Sequence, residues 1–287
     1  MVRKNIFEIL ESKYDIEKEF DVIMKLFAQP CIVIYPQYNQ GQLIPLENAI
    51  NNICFYSWKQ RHGCIDIADL RDKLDFNNRQ SSNKEDMIVC LEYCCNIIYL
   101  ANRKFYYTSF PVSGASQKTP QFIMLEDNVE LLLNHLNYEK HVFDNEEKVI
   151  LTPKNPAATA VAEISSQATA MAILMYHHGS LKGQLAEKKD ILRRIAQEYE
   201  PILDKGIDGF SDYFIKANNM LNNLDIRHNN KSGKNKNALA SNLTDAELEN
   251  WYDELYQLLL FCVLIKNNKE RKDKMAEFLK GLKEKKS

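Results

Sequence analysis

The residues with the clearest chemical potential lie between Asn218 and Lys236, late in the chain. Arg227 and His228 are adjacent there, and asparagines flank the pair on both sides. An arginine guanidinium is a planar fork that binds phosphate or carboxylate, and a histidine can transfer a proton near neutral pH. An asparagine amide can orient both groups. The segment is therefore a candidate phosphate-binding site centred on Arg227 and His228.

The spacing of these residues predicts that a helix presents them together. On a helix Asn219, Asn223 and Arg227 share one stripe at steps of four residues, and His228 continues the neighbouring apolar stripe that contains Leu221. Lysines that follow the helix add local positive charge. The candidate residues beyond the central pair are Asn223, Asn229, Asn230, Lys231, Lys234 and Lys236.

A structural interpretation of the same segment stays open. Asparagine and aspartate favour helix ends and turns because their side chains bond to nearby backbone groups. A histidine at the end of an apolar stripe often only packs, and a lysine-rich loop such as 231–237 is commonly solvated. Residue types alone are compatible with both interpretations.

Other motifs indicate packing or solvated surface. His177 and His178 are adjacent and point about 100° apart on a helix, and neither a His-Glu-x-x-His nor a Cys-x-x-Cys pattern occurs. We therefore predict no metal and no cofactor. The stretch from Lys266 onward carries nine basic and four acidic residues. We expect a solvated helix there, with nucleic-acid binding as the alternative.

The second half of the chain predicts an antiparallel helical bundle, because helix caps and apolar residues at helical spacing coincide. Asn155-Pro156 is a helix start, Pro201 is expected to end a helix, and Thr244 with Glu247 forms a capping box. We expect Trp251 and Leu255 to pack against the face from Phe214 to Leu221. The predicted helical spans are 156–200, 207–228, 245–266 and 270–284.

The first half predicts a mostly helical region with a small β element. Residues 141–151 are typical of a β-hairpin whose turn begins at Asp144-Asn145. The β-branched run between Pro30 and Pro36 fits a short strand or a buried connector. The predicted fold is mainly α, and we place a domain boundary between 1–154 and 155–287.

Composition excludes several classes of protein. The chain has 287 residues, a net charge of −2, 9 glycines and 8 prolines, which argues against collagen-like, wholly disordered and globally basic nucleic-acid-binding proteins. No stretch approaches the roughly 18 apolar residues of a membrane span. Seven cysteines, mostly in apolar runs, favour buried reduced thiols. We therefore expect a cytoplasmic protein that contacts no membrane.

The bundle and its Asn-rich helix ending in Ile-Arg-His-Asn-Asn resemble the HEPN superfamily and the abortive-infection proteins that carry HEPN-like domains. The resemblance covers residues 155–287. In HEPN ribonucleases an Arg, a polar residue and a later His line a dimer cleft and cut RNA through its 2′-hydroxyl. The resemblance implies that Arg227 and His228 are catalytic, that the six other candidates bind RNA, and that the protein is a homodimer acting in bacterial phage defence without a metal.

The chain departs from the HEPN pattern after His228. Residues 231–233 are Lys-Ser-Gly, and no histidine follows His228 anywhere in the sequence. A second hypothesis of another class therefore stands beside the ribonuclease: a non-catalytic helical module that self-associates or binds a partner protein.

Overall fold

The computed structural model describes residues 5–6, 11, 13–34, 41–106, 118–227 and 239–284. The chain divides into two compact units, Met1–Lys154 and Asn155–Ser287. Within the described residues, helix predominates and the strands form only two short antiparallel pairs, which confirms a mainly α fold.

The N-terminal unit alternates helices with the two strand pairs. Its elements are α1 (Ile16–Ala28), β1 (Pro30–Ile34), β2 (Gln42–Pro45), α2 (Leu46–Ile53), α3 (Ile67–Lys73), α4 (Lys84–Ala101), α5 (Pro120–His135), β3 (Tyr138–Phe143) and β4 (Lys148–Pro153). A π-helical turn, Asn102–Tyr106, directly follows α4.

Helix α4 lies at the centre of this unit. It is capped by Asn83, whose side-chain oxygen accepts a hydrogen bond of 3.0 Å from the Glu85 N–H. Its apolar residues surround the helix axis, and Leu91, Cys94 and Ile97 are completely buried. A helix that is apolar on most sides is expected at the middle of a core, and the other elements of the unit pack around it.

The predicted β-hairpin is confirmed. Strands β3 and β4 pair antiparallel, with Val142 opposite Val149, and the turn ends at Glu147 in the left-handed conformation (φ 53°). The indole of Trp58 donates a hydrogen bond of 2.8 Å to the Glu147 carbonyl, which fixes the turn to the unit. The run after Pro30 is a strand, and its partner β2 was not predicted.

The C-terminal unit contains the helices α6 (Pro156–Ala162), α7 (Gln167–Met175), α8 (Leu185–Lys205), α9 (Ser211–Asn223) and α10 (Asp245–Glu284). The expectation that Pro201 ends a helix is wrong, because α8 continues to Lys205 and ends at Gly206. Leu203, which is 1% exposed, extends the buried stripe of α8 beyond the proline. Burial of that side chain offsets the loss of one backbone hydrogen bond.

Helix α10 is one helix of 40 residues, so the two separate predicted spans 245–266 and 270–284 are joined. The capping box is confirmed: the Thr244 N–H donates to Glu247 Oε2 over 2.9 Å, and the Glu247 N–H donates to Thr244 Oγ1 over 3.3 Å. No glycine or proline interrupts the junction, where Lys266 and Glu270 form an ion pair of 3.4 Å.

The predicted core position of Trp251 is wrong, since its side chain is 45% exposed. The face of α10 that meets the core contains Tyr252, Leu255 and Tyr256, and Trp251 lies at its edge, about 100° from Tyr252. Leu255 is fully buried in the same core as Phe214, as predicted. All seven cysteines are buried and free.

Candidate functional site

The end of α9 does not continue as the helix on which the candidate site was predicted. The helix stops at Asn223, and Asp225 adopts the left-handed conformation (φ 59°). The N–H groups of Ile226 and Arg227 then donate back to the Leu221 carbonyl over 3.0 and 3.3 Å. The first of these bonds, with burial of both Leu221 and Ile226, is the Schellman arrangement that terminates helices. Arg227 is therefore not on the helical stripe of Asn223.

Helix α8 fixes this turn from the side. Asp225 is 4% exposed, and its carboxylate lies 2.7 Å from Lys189 Nζ. One turn further along α8, Arg193 Nε donates to the Ile226 carbonyl over 3.0 Å. The left-handed conformation of a non-glycine residue costs energy, and the buried ion pair supplies the tertiary contact that maintains it.

Arg227 is drawn toward α8. Its side chain is 17% exposed, and Nη2 lies 4.0 Å from Glu200 Oε1. An anionic ligand would therefore compete with a carboxylate already beside the guanidinium. Asn223 is exposed at the end of α9. The remaining candidates, His228, Asn229, Asn230, Lys231, Lys234 and Lys236, lie outside the described residues.

A buried lysine forms a second polar cluster in this unit. The Lys188 side chain is 6% exposed, and Nζ lies 2.8 Å from Asp253 Oδ1 and 2.9 Å from Glu249 Oε1. The same ammonium lies 5.1 Å from the ring centroid of Tyr176. That ring stacks on Tyr256 with centroids 4.0 Å apart. The cluster links α7, α8 and α10 across the core.

His177 borders this cluster. Its ring meets Tyr176 and Tyr256 edge-on, and its Nε2 lies 3.3 Å from the side-chain nitrogen of Gln257. Burial lowers the pKa of His177, against the opposing charge of Asp253. The charged and aromatic groups of the cluster are thus in contact with one another within the unit.

Sequence reasoning missed Lys188, although a signal for it exists. Lys188 falls between Leu185 and Leu192 on the apolar stripe of α8, where a lysine needs a buried anionic partner. Glu249 and Asp253 are four residues apart and so lie on one face of α10. The pairing of these two features could have been proposed from spacing.

A stripe of exposed apolar side chains lies on the last part of α10. It is formed by Met275, Phe278, Leu279 and Leu282, and we call it the terminal stripe. The first three are 64%, 63% and 52% exposed. The spacing i, i+3, i+4 and i+7 places the four side chains on one face. Every side chain from Asn268 to Lys280 is exposed, so this part of the helix makes no core contact within the described residues.

The charges on this part of α10 are arranged around the terminal stripe. At about 100° per residue, Arg271, Lys272 and Lys274 lie within about 90° of its centre. The far side carries both signs: the acidic residues are Glu270, Asp273 and Glu277, and the basic ones are Lys269 and Lys280. The apolar face is thus bordered by positive charge alone.

Two further properties bear on function. Within the described residues, no three His, Cys, Asp or Glu side chains are grouped so that they could hold a metal ion. Across the same residues, no helix has the length and apolarity to cross a membrane. Comparisons of the chain with protein-family models, curated proteins and solved structures found no match.

Proposed function

We propose that the C-terminal unit binds another protein through the terminal stripe of α10, which inserts into an apolar groove with an acidic rim. The proposal rests on one observation. Four exposed apolar side chains lie on one face of a helix whose first half is buried in a core. Helix-in-groove recognition uses anchors at i, i+3, i+4 and i+7, the spacing seen here.

Burial of the terminal stripe by a partner is favourable in free energy. Burying a large apolar side chain stabilises by roughly 1.5–3 kcal/mol relative to leaving it in water. A short isolated helix is marginally stable, but the buried first half of α10 provides the nucleus from which the exposed half extends. The stripe is therefore presented in a preorganised helical form, which lowers the entropic cost of binding.

The flanking charges select the class of partner. Two copies of this face packed in parallel would bring Arg271, Lys272 and Lys274 of each copy close to those of the other, which is unfavourable. An acidic rim complements the same three cations. An anionic membrane would also attract them, but the stripe is only four residues long and the far side carries three acidic residues, so a protein groove fits better.

The proposal is tested with calcium-loaded calmodulin, a promiscuous acidic protein whose Met-rich groove accepts basic amphipathic helices. We expect calorimetry with the full chain to show binding that Leu279→Lys weakens by about tenfold or more. The matched control is Ile215→Lys, which changes an exposed apolar residue of α9 (56% exposed). The proposal would be contradicted if the parent chain does not bind calmodulin, or if Ile215→Lys loses as much affinity as Leu279→Lys.

Two further measurements separate the alternatives. Sedimentation of the parent and of Leu279→Lys would reveal self-association through the stripe, and flotation with phosphatidylserine vesicles would reveal membrane binding. If self-association or membrane binding is abolished by Leu279→Lys and retained in Ile215→Lys, the partner of the stripe is a second copy or a membrane, and the proposed protein groove is wrong.

A second candidate function is RNA binding or cleavage at the turn after α9. The observation that favours it is the convergence of Lys189, Arg193 and Arg227 on this turn, directly before the polar segment that begins at His228. In this proposal Arg227 holds the phosphate, and His228 transfers the 2′-hydroxyl proton, a contribution of about 10²–10⁴ in rate. Cleavage of the HEPN type also requires a second proton donor, which a second subunit's His228 would supply across a two-fold axis.

The test is RNA cleavage and growth toxicity for the parent, Arg227→Ala and His228→Ala. Lys216→Ala, which removes an exposed cation of α9, is the control for lost charge. Activity lost in the first two variants and kept in the control supports the site, and the binding should weaken as salt rises. Cleavage that survives both substitutions, or an intact protein that neither binds nor cuts RNA, rejects it.

A further inference from the structure

The N-terminal unit contains a cavity of about 510 Å³ between α4, α5 and the β3–β4 hairpin. This volume is in the range of small-molecule sites, roughly 300–1,000 Å³. The cavity is lined by Cys95, Ile98, Tyr99, Asn102, Arg103, Glu126, Val129, Lys140, Val142, Asp144 and Val149.

Regular spacing brings the apolar part of this lining together. Cys95, Ile98 and Tyr99 occupy positions i, i+3 and i+4 of α4 and so share one face. Val142 and Val149 lie opposite each other in the hairpin. Most of this apolar lining is deeply buried, whereas Val142 is 46% exposed and marks the side that opens to solvent.

The charged part of the lining is balanced and already paired. Arg103 Nη1 donates over 2.7 Å to the Tyr99 hydroxyl and over 2.7 Å to the Asp144 carbonyl. Tyr99 in turn donates to Asp144 Oδ1 over 2.8 Å. The cation and the carboxylate at this edge therefore share one hydrogen-bond network.

The charged groups of the opposite edge are paired in the same way. Glu126 accepts hydrogen bonds of 2.7 Å from Lys118 and from Asn102, and Lys140 lies 2.8 Å from Glu130. Two cations and two carboxylates line the cavity, and each has a partner within the protein. A charged ligand would have to displace one of these partners, and the lining offers no surplus charge in exchange.

We infer that this cavity binds an uncharged, mainly apolar small molecule. The apolar part of the lining buries the apolar surface of the ligand. The polar edge presents hydroxyl, amide and carboxylate groups to a neutral polar substituent. Binding is non-covalent, because burial raises the pKa of the Cys95 thiol to about 12 and leaves no thiolate to react. The π-helical turn that contributes Asn102 and Arg103 is a feature found frequently at functional sites.

The test uses Nile red, an uncharged dye that fluoresces in apolar surroundings, with the full chain. We expect saturable binding that Val142→Trp weakens by about tenfold or more, because the larger ring fills the cavity from its solvent side. The matched control is Leu131→Trp, which places the same ring at a residue of α5 that is 47% exposed and does not line the cavity. Val142→Phe replaces the first variant if that variant melts at a lower temperature than the parent.

The comparison of variants distinguishes this cavity from the terminal stripe of α10, which is identical in all of them. Equal dye binding by parent and Val142 variants would overturn the inference, and so would a parent that does not bind the dye. An anionic dye, anilinonaphthalene sulfonate, tests the charge argument. Binding of that dye as tight as Nile red, and lost in Val142→Trp, would overturn the assignment to uncharged ligands.

Discussion

The two halves of α10 place similar apolar side chains in opposite environments. In the first half Leu255, Tyr256 and Leu259 are at most 1% exposed, whereas in the second half Met275 and Phe278 are more than 60% exposed. Both sets follow helical spacing, so amphipathicity alone does not distinguish a core face from a binding face. What differs is the environment, since the buried residues of the first half share a core with those of α8 and α9, whereas the side chains from Asn268 to Lys280 are all exposed.

The charges of the two halves differ in the same way. In the first half Glu249 and Asp253 are paired with the buried Lys188. In the second half Arg271, Lys272 and Lys274 border the apolar stripe and are exposed to solvent. The first half therefore has its electrostatic complement within the chain. Under the proposed function, the acidic rim of a partner protein complements the second half.

The largest expected effect is on the first half. Leu255→Ala should lower the free energy of unfolding by about 2–5 kcal/mol, because it leaves a cavity in a close-packed core. Urea titration followed by circular dichroism and tryptophan fluorescence measures this. An unchanged urea midpoint would contradict the comparison, because the first half of α10 would then be no more important to the core than the second half.

The next effect concerns the paired charges. Lys188→Ala should cost about 1–3 kcal/mol, because it removes the cation from two carboxylates that are themselves only partly accessible to water. The control is Lys216→Ala on the exposed face of α9, for which we expect a change within about 0.5 kcal/mol. Equal urea midpoints for the two variants would show that the Lys188 cluster contributes no more than a surface charge.

A smaller effect should appear with pH. Burial lowers the pKa of His177, so the folded chain binds this proton less readily than the unfolded chain. The free energy of unfolding should therefore fall as the pH drops below the usual histidine pKa of 6.5.

The matched variant for this effect is His177→Gln. Its melting temperature should decrease less between pH 7 and pH 5 than that of the parent, because the variant lacks the titrating ring. Parallel decreases in the two proteins would show that His177 is as accessible to protons in the folded chain as in the unfolded one.

The sequence predicts what depends on neighbouring residues. The capping box at Thr244 and the hairpin turn at Asp144 are local patterns, and both are confirmed. The reversal at Asp225 could not be predicted in this way, because a left-handed aspartate there depends on Lys189, which lies 36 residues earlier. For the same reason the candidate stripe of Asn223 and Arg227, which assumed a longer helix, is wrong.

The exposure of Trp251 has a similar explanation. Helical spacing gives the width of an apolar face but not its centre, and the stacking of Tyr176 on Tyr256 fixes the rotation of α10 in the core. The residues of the terminal stripe were predicted to lie on a separate helix, 270–284, whereas they lie on the continuation of α10. Their spacing resembles that of a core face. Exposure depends on tertiary packing, so only the structure distinguishes an exposed apolar face from a buried one.

The smallest expected effect on stability is also the most discriminating. Leu279→Ala should change the free energy of unfolding by no more than about 0.5 kcal/mol, because its side chain is 52% exposed and leaves no cavity. Leu279 and Leu255 are the same residue type on the same helix, so the pair of alanine variants isolates the effect of environment. If the variant binds an acidic-groove protein more weakly at unchanged stability, Leu279 serves recognition rather than folding. A loss of stability as large as that of Leu255→Ala would instead place the terminal stripe in a core, and the proposed binding face would be wrong.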